Sequence, residues 1–182
     1  LGLVANTKVM IEKKIEEVII KQIQIEEQSS RIYMAMASWC EVNGFPGAAK
    51  FLFTHSDEER MHMTKFINYL NDKGGYARLK NLDAPEYEFK SLLDIFEQIL
   101  KHEEFVTASI NKLFETAFGE KDFTTSQFLQ WYIEEQIEEE SMFKGILDKF
   151  RLVGNQTGGL FHLDKELEAM AAASSYNSGV AE

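Results

Sequence analysis

Residues 55–63 read HSDEERMHM, and within this stretch Glu59 and His62 stand three positions apart. On a helix that spacing puts both side chains on one face, where a carboxylate and an imidazole together can hold a metal ion. Counting through the surrounding residues at alternating steps of four and three gives Ala48, Leu52, His55, Glu59, His62, Phe66 and Tyr69. Glu59 and His62 therefore interrupt an apolar seam that should face a core. Three further segments read the same way. One runs Ile15, Ile19, Gln22, Glu26, Ser29, Tyr33, Met36, Cys40. The others run Phe96, Ile99, Glu103, Val106, Ile110 and Leu129, Tyr132, Gln136, Glu139, Phe143. Every seam carries a carboxylate.

One glutamate on a helix edge commonly reaches water and needs no special role. Four converging in one core would repel each other and lose their hydration, and His62 and Gln136 supply too little positive charge to compensate. Either protons or cations must lie between them. Four glutamates carry −4 and two divalent ions carry +4, so a dinuclear site closes the balance without a buried Lys or Arg. Carboxylate and imidazole ligands without thiolate suit iron, manganese or zinc better than copper(I). On the fourth segment, Gln136-Ile137-Glu138-Glu139 stands where a second Glu-x-x-His would lie. The second ion is therefore expected to have fewer imidazoles and a weaker hold, which suits passage of metal through the site.

The elements that must position these residues are four long helices, expected over about 10–42, 46–73, 91–118 and 123–153. Asn43 to Gly47 separates the first two, with Pro46 well placed at a helix start, and Gly119 to Asp122 separates the last two. Short connectors make antiparallel neighbours, giving two helical hairpins. Residues 74–90 have no clear period. A helix of about 28 residues is roughly 42 Å long, and 17 extended residues reach up to about 55 Å, so this segment can run the length of a bundle. The expected fold is all-α: a four-helix bundle of two antiparallel hairpins with one long crossover, forming a single domain over 1–182. A short fifth helix is expected over about 160–170, with a poorly ordered tail from about 171. The first nine residues carry little signal.

The chain has 182 residues, 45% of them hydrophobic, with only two prolines, which fits few, long, regular elements in one domain. Its formal net charge of −11 repels nucleic acid and anionic lipid and attracts cations. Cys40 is the only cysteine and no apolar run is long enough to span a bilayer, so a cytoplasmic setting is the expectation.

EEQSSRIY, HSDEERMHM, KHEEF, FLQWYIEEQIEEE and GLFHLDKEL, taken in order and spacing over about residues 10–170, resemble bacterial non-haem ferritins. One Glu from each of two helices and a Glu-x-x-His from the others is a pattern of ferritin-like di-iron proteins. The resemblance implies an iron-storage ferroxidase: Fe²⁺ binds as a pair, is oxidised by O₂ or peroxide, and moves into a shell of twenty-four identical subunits as ferric mineral. It implies Glu26, Glu59, His62 and Glu103 at the first iron and its bridge, and Glu103 and Glu139 at the second, with Gln136 beside it. A weaker third iron would use Glu58, Glu135, Glu138 and Glu139, and Tyr33 matches the family's redox-active tyrosine. Haem is not expected, because Glu139 and Arg60 stand where bacterioferritins have a histidine and the haem-ligating methionine. By residue type alone, Tyr33 could be only a buried tyrosine, His55 a packed or hydrogen-bonded histidine, and Glu134 and Glu140 a solvated face. Two other functions fit less of the pattern: a di-iron oxidase or oxygenase with an organic substrate, and a metal-free helical interaction protein.

Overall fold

A computed structural model describes residues 11–154 and 156–178. Among them are five helices and no strand: α1 (Lys13–Val42), α2 (Pro46–Asp72), α3 (Leu92–Gly119), α4 (Phe123–Val153) and α5 (Thr157–Ser178). Residues 1–10, where the sequence carried little signal, 155 and 179–182 lie outside the described part. No helix in it is long and apolar enough to cross a membrane.

Local chemistry explains the helix boundaries. Gly44, at φ +84°, takes the left-handed turn after α1, and Pro46 opens α2 where its missing N–H costs nothing. At the start of α3 the Ser91 hydroxyl accepts the Asp94 N–H at 3.1 Å, while the Asp94 carboxylate accepts the Lys90 N–H at 3.0 Å. This reciprocal arrangement satisfies amides that have no partner within the helix. Asp122 does the same for α4, accepting from the Thr125 N–H at 3.0 Å.

α1 packs antiparallel along α2, and α3 along α4, with α1 also against α3. The crossover between the hairpins lies along α1. The Tyr76 N–H donates to Glu16 at 3.0 Å, Gln24 donates to the Asn81 carbonyl at 2.9 Å, and Gln28 to the Asp83 carbonyl at 3.2 Å. Phe89 then meets Trp39 edge-on, with ring centroids 6.0 Å apart. From Glu16 to Trp39 is about 35 Å of helix, which the crossover covers between Tyr76 and Phe89 in a nearly extended path.

The core is split in two. One apolar cluster joins Tyr33, Met36, Phe51, Phe96, Phe143 and Phe150; another joins Ile15, Ile19, Phe66, Ile110, Leu129 and Tyr132. Between them lies a buried polar layer containing Glu26, Ser29, Ser30, His55, Ser56, Glu59, His62, Glu103 and Gln136. Ser30 and Ser56 donate to each other's backbone carbonyl at 2.8 Å, which satisfies both hydroxyls between α1 and α2.

α5 is longer than the helix expected over 160–170, and residues 171–178, expected to be poorly ordered, are helical. Leu163, Leu167 and Ala171 are buried against the first cluster at four-residue spacing, so alanine here serves as a strong helix former on a packed face. Asp164, also buried, accepts the N–H groups of Gly47 at 3.1 Å and Ala48 at 2.8 Å and so caps α2 from another helix. Position 47 admits only glycine at this approach, since a Cβ there would lie 1.9 Å from the Asp164 carbonyl oxygen. Asp164→Ala is expected to orphan both amides, costing about 2 kcal/mol and lowering the thermal midpoint by roughly 5 °C. It should also expose residues 157–178 to protease; an unchanged midpoint and cleavage pattern would show that the cap contributes nothing.

Candidate metal centre

In the polar layer α1 presents Glu26 and α2 presents Glu59 and His62, all buried, with one ligand atom from each within 4.8 Å of the others. The His62 Nδ1 to Glu59 Oε2 distance is 3.6 Å, too long for a hydrogen bond but suited to a shared cation. Gln22 donates to Glu26 Oε1 at 2.7 Å. Glu59 Oε2 is a buried acceptor with no hydrogen-bond partner among the described residues. An orphaned buried carboxylate oxygen is costly and requires a proton or a cation. The Tyr132 hydroxyl donates to the His62 carbonyl at 2.8 Å, tying α4 to α2 at this level.

Glu103 of α3 completes the layer in a different way. Its two carboxylate oxygens accept from the Tyr33 hydroxyl and, at 3.0 Å, from the Gln136 amide. Gln136, the first residue of the stretch that stands in place of a second Glu-x-x-His, is thus buried and hydrogen-bonded to Glu103, one of the carboxylates expected to hold the second ion.

A second cluster lies beside the first. His55, Glu58 and Glu139 place one ligand atom each within 4.8 Å of the others, at the wall of a cavity of about 550 Å³ that His62, Glu135 and Glu138 also line. His55 is hydrogen-bonded through Nδ1 to the Phe51 carbonyl at 3.0 Å, which requires the proton on Nδ1. Burial pushes the imidazole down to about 4, so it is neutral near pH 7 and its Nε2 carries a lone pair. That lone pair faces Glu58 at 3.6 Å and Glu139 at 3.9 Å. His55 is thus the packed and hydrogen-bonded histidine expected from residue type, and its Nε2 together with the two carboxylates also forms a set of donor atoms that could hold a cation. Its place on the α2 seam, seven residues before His62, was the available signal.

The remaining acidic residues sort by exposure. Glu139 is mostly covered, Glu135 half-buried, and Glu138 and Glu134 exposed. Glu140, expected on a solvated face, is instead half-buried and accepts from Thr107 and Lys144, each at 2.7 Å.

Burial holds the carboxyls of Glu26, Glu59 and Glu139 well above the ordinary glutamate value of 4.5. Repulsion adds to it, chiefly from Glu59 on Glu26 and from Glu103 on Glu59 and Glu139. Glu103 is raised by burial, with the hydrogen bonds from Tyr33 and Gln136 opposing the rise. Glu58 and Glu135 are raised for the same first cause. The Lys65 ammonium lines the same cavity but sits over the Trp131 ring, 3.2 Å from its centroid. Without an added cation, protons must neutralise this layer. With hard, oxygen-rich donors, an imidazole in each cluster and no thiolate, it fits iron as a divalent ion.

Comparison with known proteins agrees with this architecture. Residues 16–153 match the sequence model of the ferritin-like domain of the ferritin family. The chain is 43% identical over 162 residues to the bacterial non-heme ferritin of Campylobacter jejuni, covering 89% of this chain and 97% of that one. It is 42% identical over 158 residues to a probable bacterial non-heme ferritin-like protein of Haemophilus influenzae, covering 87% and 96%. Among solved structures, an open-pore ferritin of Archaeoglobus fulgidus superposes with a TM-score of 0.86 at 39% identity, covering 87% of this chain and 96% of that one. The two-hairpin bundle, the long crossover and the matched sequence together place this chain in the ferritin family.

Proposed function

We propose that the chain is an iron-storage ferroxidase that binds Fe²⁺ within the bundle, oxidises it and delivers Fe³⁺ to a mineral inside a closed shell. One observation carries this reading: buried glutamates from α1, α2 and α3 beside the mostly covered Glu139 of α4, with Glu59 Oε2 unpartnered and, among the described residues, no Lys or Arg neutralising them. Two Fe²⁺ ions restore neutrality to Glu26, Glu59, Glu103 and Glu139. Glu26, Glu59 and His62 hold the first ion. Glu59 and Glu103 reach toward the second, which Glu139 and the Gln136 amide complete. Each bound Fe²⁺ gives one electron to O₂, or to peroxide as alternative oxidant, and the pair becomes two Fe³⁺.

Tyr33 donates its hydroxyl proton to Glu103, so an electron leaving the phenol can be accompanied by its proton along that bond. Burial and Glu103 raise the phenol well above its ordinary value, so it stays protonated until oxidised. A third, weaker position uses Glu58 and Glu139 with His55, and Glu135 and Glu138 on the cavity wall extend it. Acidic groups in that direction draw Fe³⁺ away from the pair. A lone bundle would release insoluble ferric ion to solvent, so storage needs an enclosed volume, which identical subunits close by point-group symmetry. The family relationship supports twenty-four subunits and a cytoplasmic setting.

Anaerobic calorimetry should detect two tightly bound Fe²⁺ per chain and a weaker third, and Glu59→Ala should abolish the tight pair. No binding, or binding indifferent to that substitution, would exclude the assignment. Aerobic loading should fill a particle of twenty-four chains with an electron-dense core; bulk precipitation by a monomer or dimer would leave oxidation standing and remove storage.

Stability should also depend on pH. Because the folded-state values of Glu26, Glu59 and Glu139 lie above 4.5, the folded metal-free chain binds more protons than the unfolded chain. Their contribution is therefore present at low pH and lost as pH rises through the raised values. Above about pH 7, where the buried His55 and His102, both lowered to about 4, no longer oppose the trend, the metal-free thermal midpoint should fall up to about pH 9, with Fe²⁺ added anaerobically raising it most at the upper end. A metal-free midpoint that rises over this range would contradict the buried-carboxylate account.

A further inference from the structure

Thr107, Gln136, Glu140 and Lys144 line a cavity of about 730 Å³ between α3 and α4, and hydrogen bonds join them in series to the iron-binding layer. The Lys144 ammonium donates to Glu140 Oε2 at 2.7 Å, and the Thr107 hydroxyl donates to Glu140 Oε1 at 2.7 Å. The Gln136 amide nitrogen lies 3.3 Å from Thr107 Oγ1, 3.0 Å from Glu103 Oε2 and 3.3 Å from the Glu103 carbonyl.

Donor and acceptor roles fix the direction of every bond. A carboxylate only accepts, so the one hydroxyl proton of Thr107 is committed to Glu140. Thr107 Oγ1 therefore offers a lone pair to Gln136. A flipped amide would set its carbonyl oxygen against a carboxylate, a backbone carbonyl and that lone pair, all acceptors. The amide nitrogen must face Glu103 and Thr107, and the amide oxygen takes part in none of these bonds.

We infer that Thr107 is a positioning residue for the second iron position, anchoring the Gln136 amide so that its oxygen remains available as a ligand. The inference rests on the iron-centre reading above. In the metal-free chain Glu103 holds the amide directly. When an incoming cation draws Glu103 toward itself, the cation competes with the amide for Glu103 Oε2. Thr107, turned by Glu140 and tied through it to Lys144, is then the partner that does not move. The hydrogen-bonded series from a surface lysine to a buried ligand runs through three side chains on α4 and one on α3, so it needs no motion of the backbone.

The test uses Co²⁺ as an oxidation-resistant probe on the assembled protein, with calorimetry and the d–d absorption of the metal as readouts. Thr107→Val removes the acceptor at nearly constant shape, Thr107→Ala guards against an effect of the added methyl, and Thr107→Ser keeps the hydroxyl. In the wild-type protein two Co²⁺ should bind tightly per chain. In the Val and Ala variants the first equivalent should be unchanged and the second weakened about tenfold, with an altered absorption band confined to it. The Ser variant should behave as wild type. A second equivalent bound equally well by the Val and Ala variants would overturn the inference, as would a Ser variant as weak as Val. Wild-type protein that takes up no Co²⁺ would overturn the iron-centre reading, and this one with it.

Discussion

Four glutamate side chains share a water-poor layer with no cationic side chain among the described residues to neutralise them, and the bundle is built around that constraint. Burying a single carboxylate costs several kcal/mol even after relaxation, and neighbours of like charge add to it. Such a layer persists only where apolar packing on both sides holds the helices together regardless of its state. Two separate clusters do this, one around Phe51, Phe96 and Phe143 and one around Phe66, Ile110 and Tyr132. The length of α1 to α4, 27 to 31 residues, follows from the need for apolar turns both above and below the charge.

Within the layer the carboxylates are unequal. Glu103 has both oxygens hydrogen-bonded, Glu26 has one bond from Gln22, and Glu59 has an oxygen with none. Bonds that stabilise the charged form make Glu103 the readiest to ionise, while Glu59 gains most from a cation. Uptake of metal must therefore displace protons, and affinity for the pair rises with pH for the same reason that metal-free stability falls. His55 adds a neutral donor whose tautomer is set by the Phe51 carbonyl, so the second cluster can take a cation without first losing a proton from its imidazole.

Much of this was legible in the sequence because helical period and residue type carry the same message. Counting by fours and threes put Glu26, Glu59, His62, Glu103 and Gln136 on core-facing seams, and all are buried. The helix ends expected from Pro46, Gly119 and the asparagine-glycine turn fall within a few residues of those observed. What the sequence left open depends on which helices approach closely. His55 stood on the seam, and its tautomer and its nearness to Glu58 are set within α2, but the approach of Glu139 arises from α4 meeting α2. Glu140 read as one of seven residues in an acidic run, and only its contacts with Thr107 and Lys144 separate it from Glu134. The Ala-rich segment after residue 170 resembled a loose tail by composition, whereas the buried spacing of Leu163, Leu167 and Ala171 shows a docked helix.

The path of the crossover beside α1 bears on how such chains can vary. Between Tyr76 and Phe89 it spans about 35 Å with a reach of roughly 45 Å, so little slack remains. Its side chains are mostly exposed and touch α1 at a few points, which leaves residue identity there nearly free. Its length is not free. Removing four or five residues would drag α3 along the bundle by about a helical turn and carry Glu103 away from Glu26 and Glu59, whereas added residues could bulge outward without effect. The segment works as a tape measure: drift in its sequence should be rapid, insertions tolerated, and deletions rare.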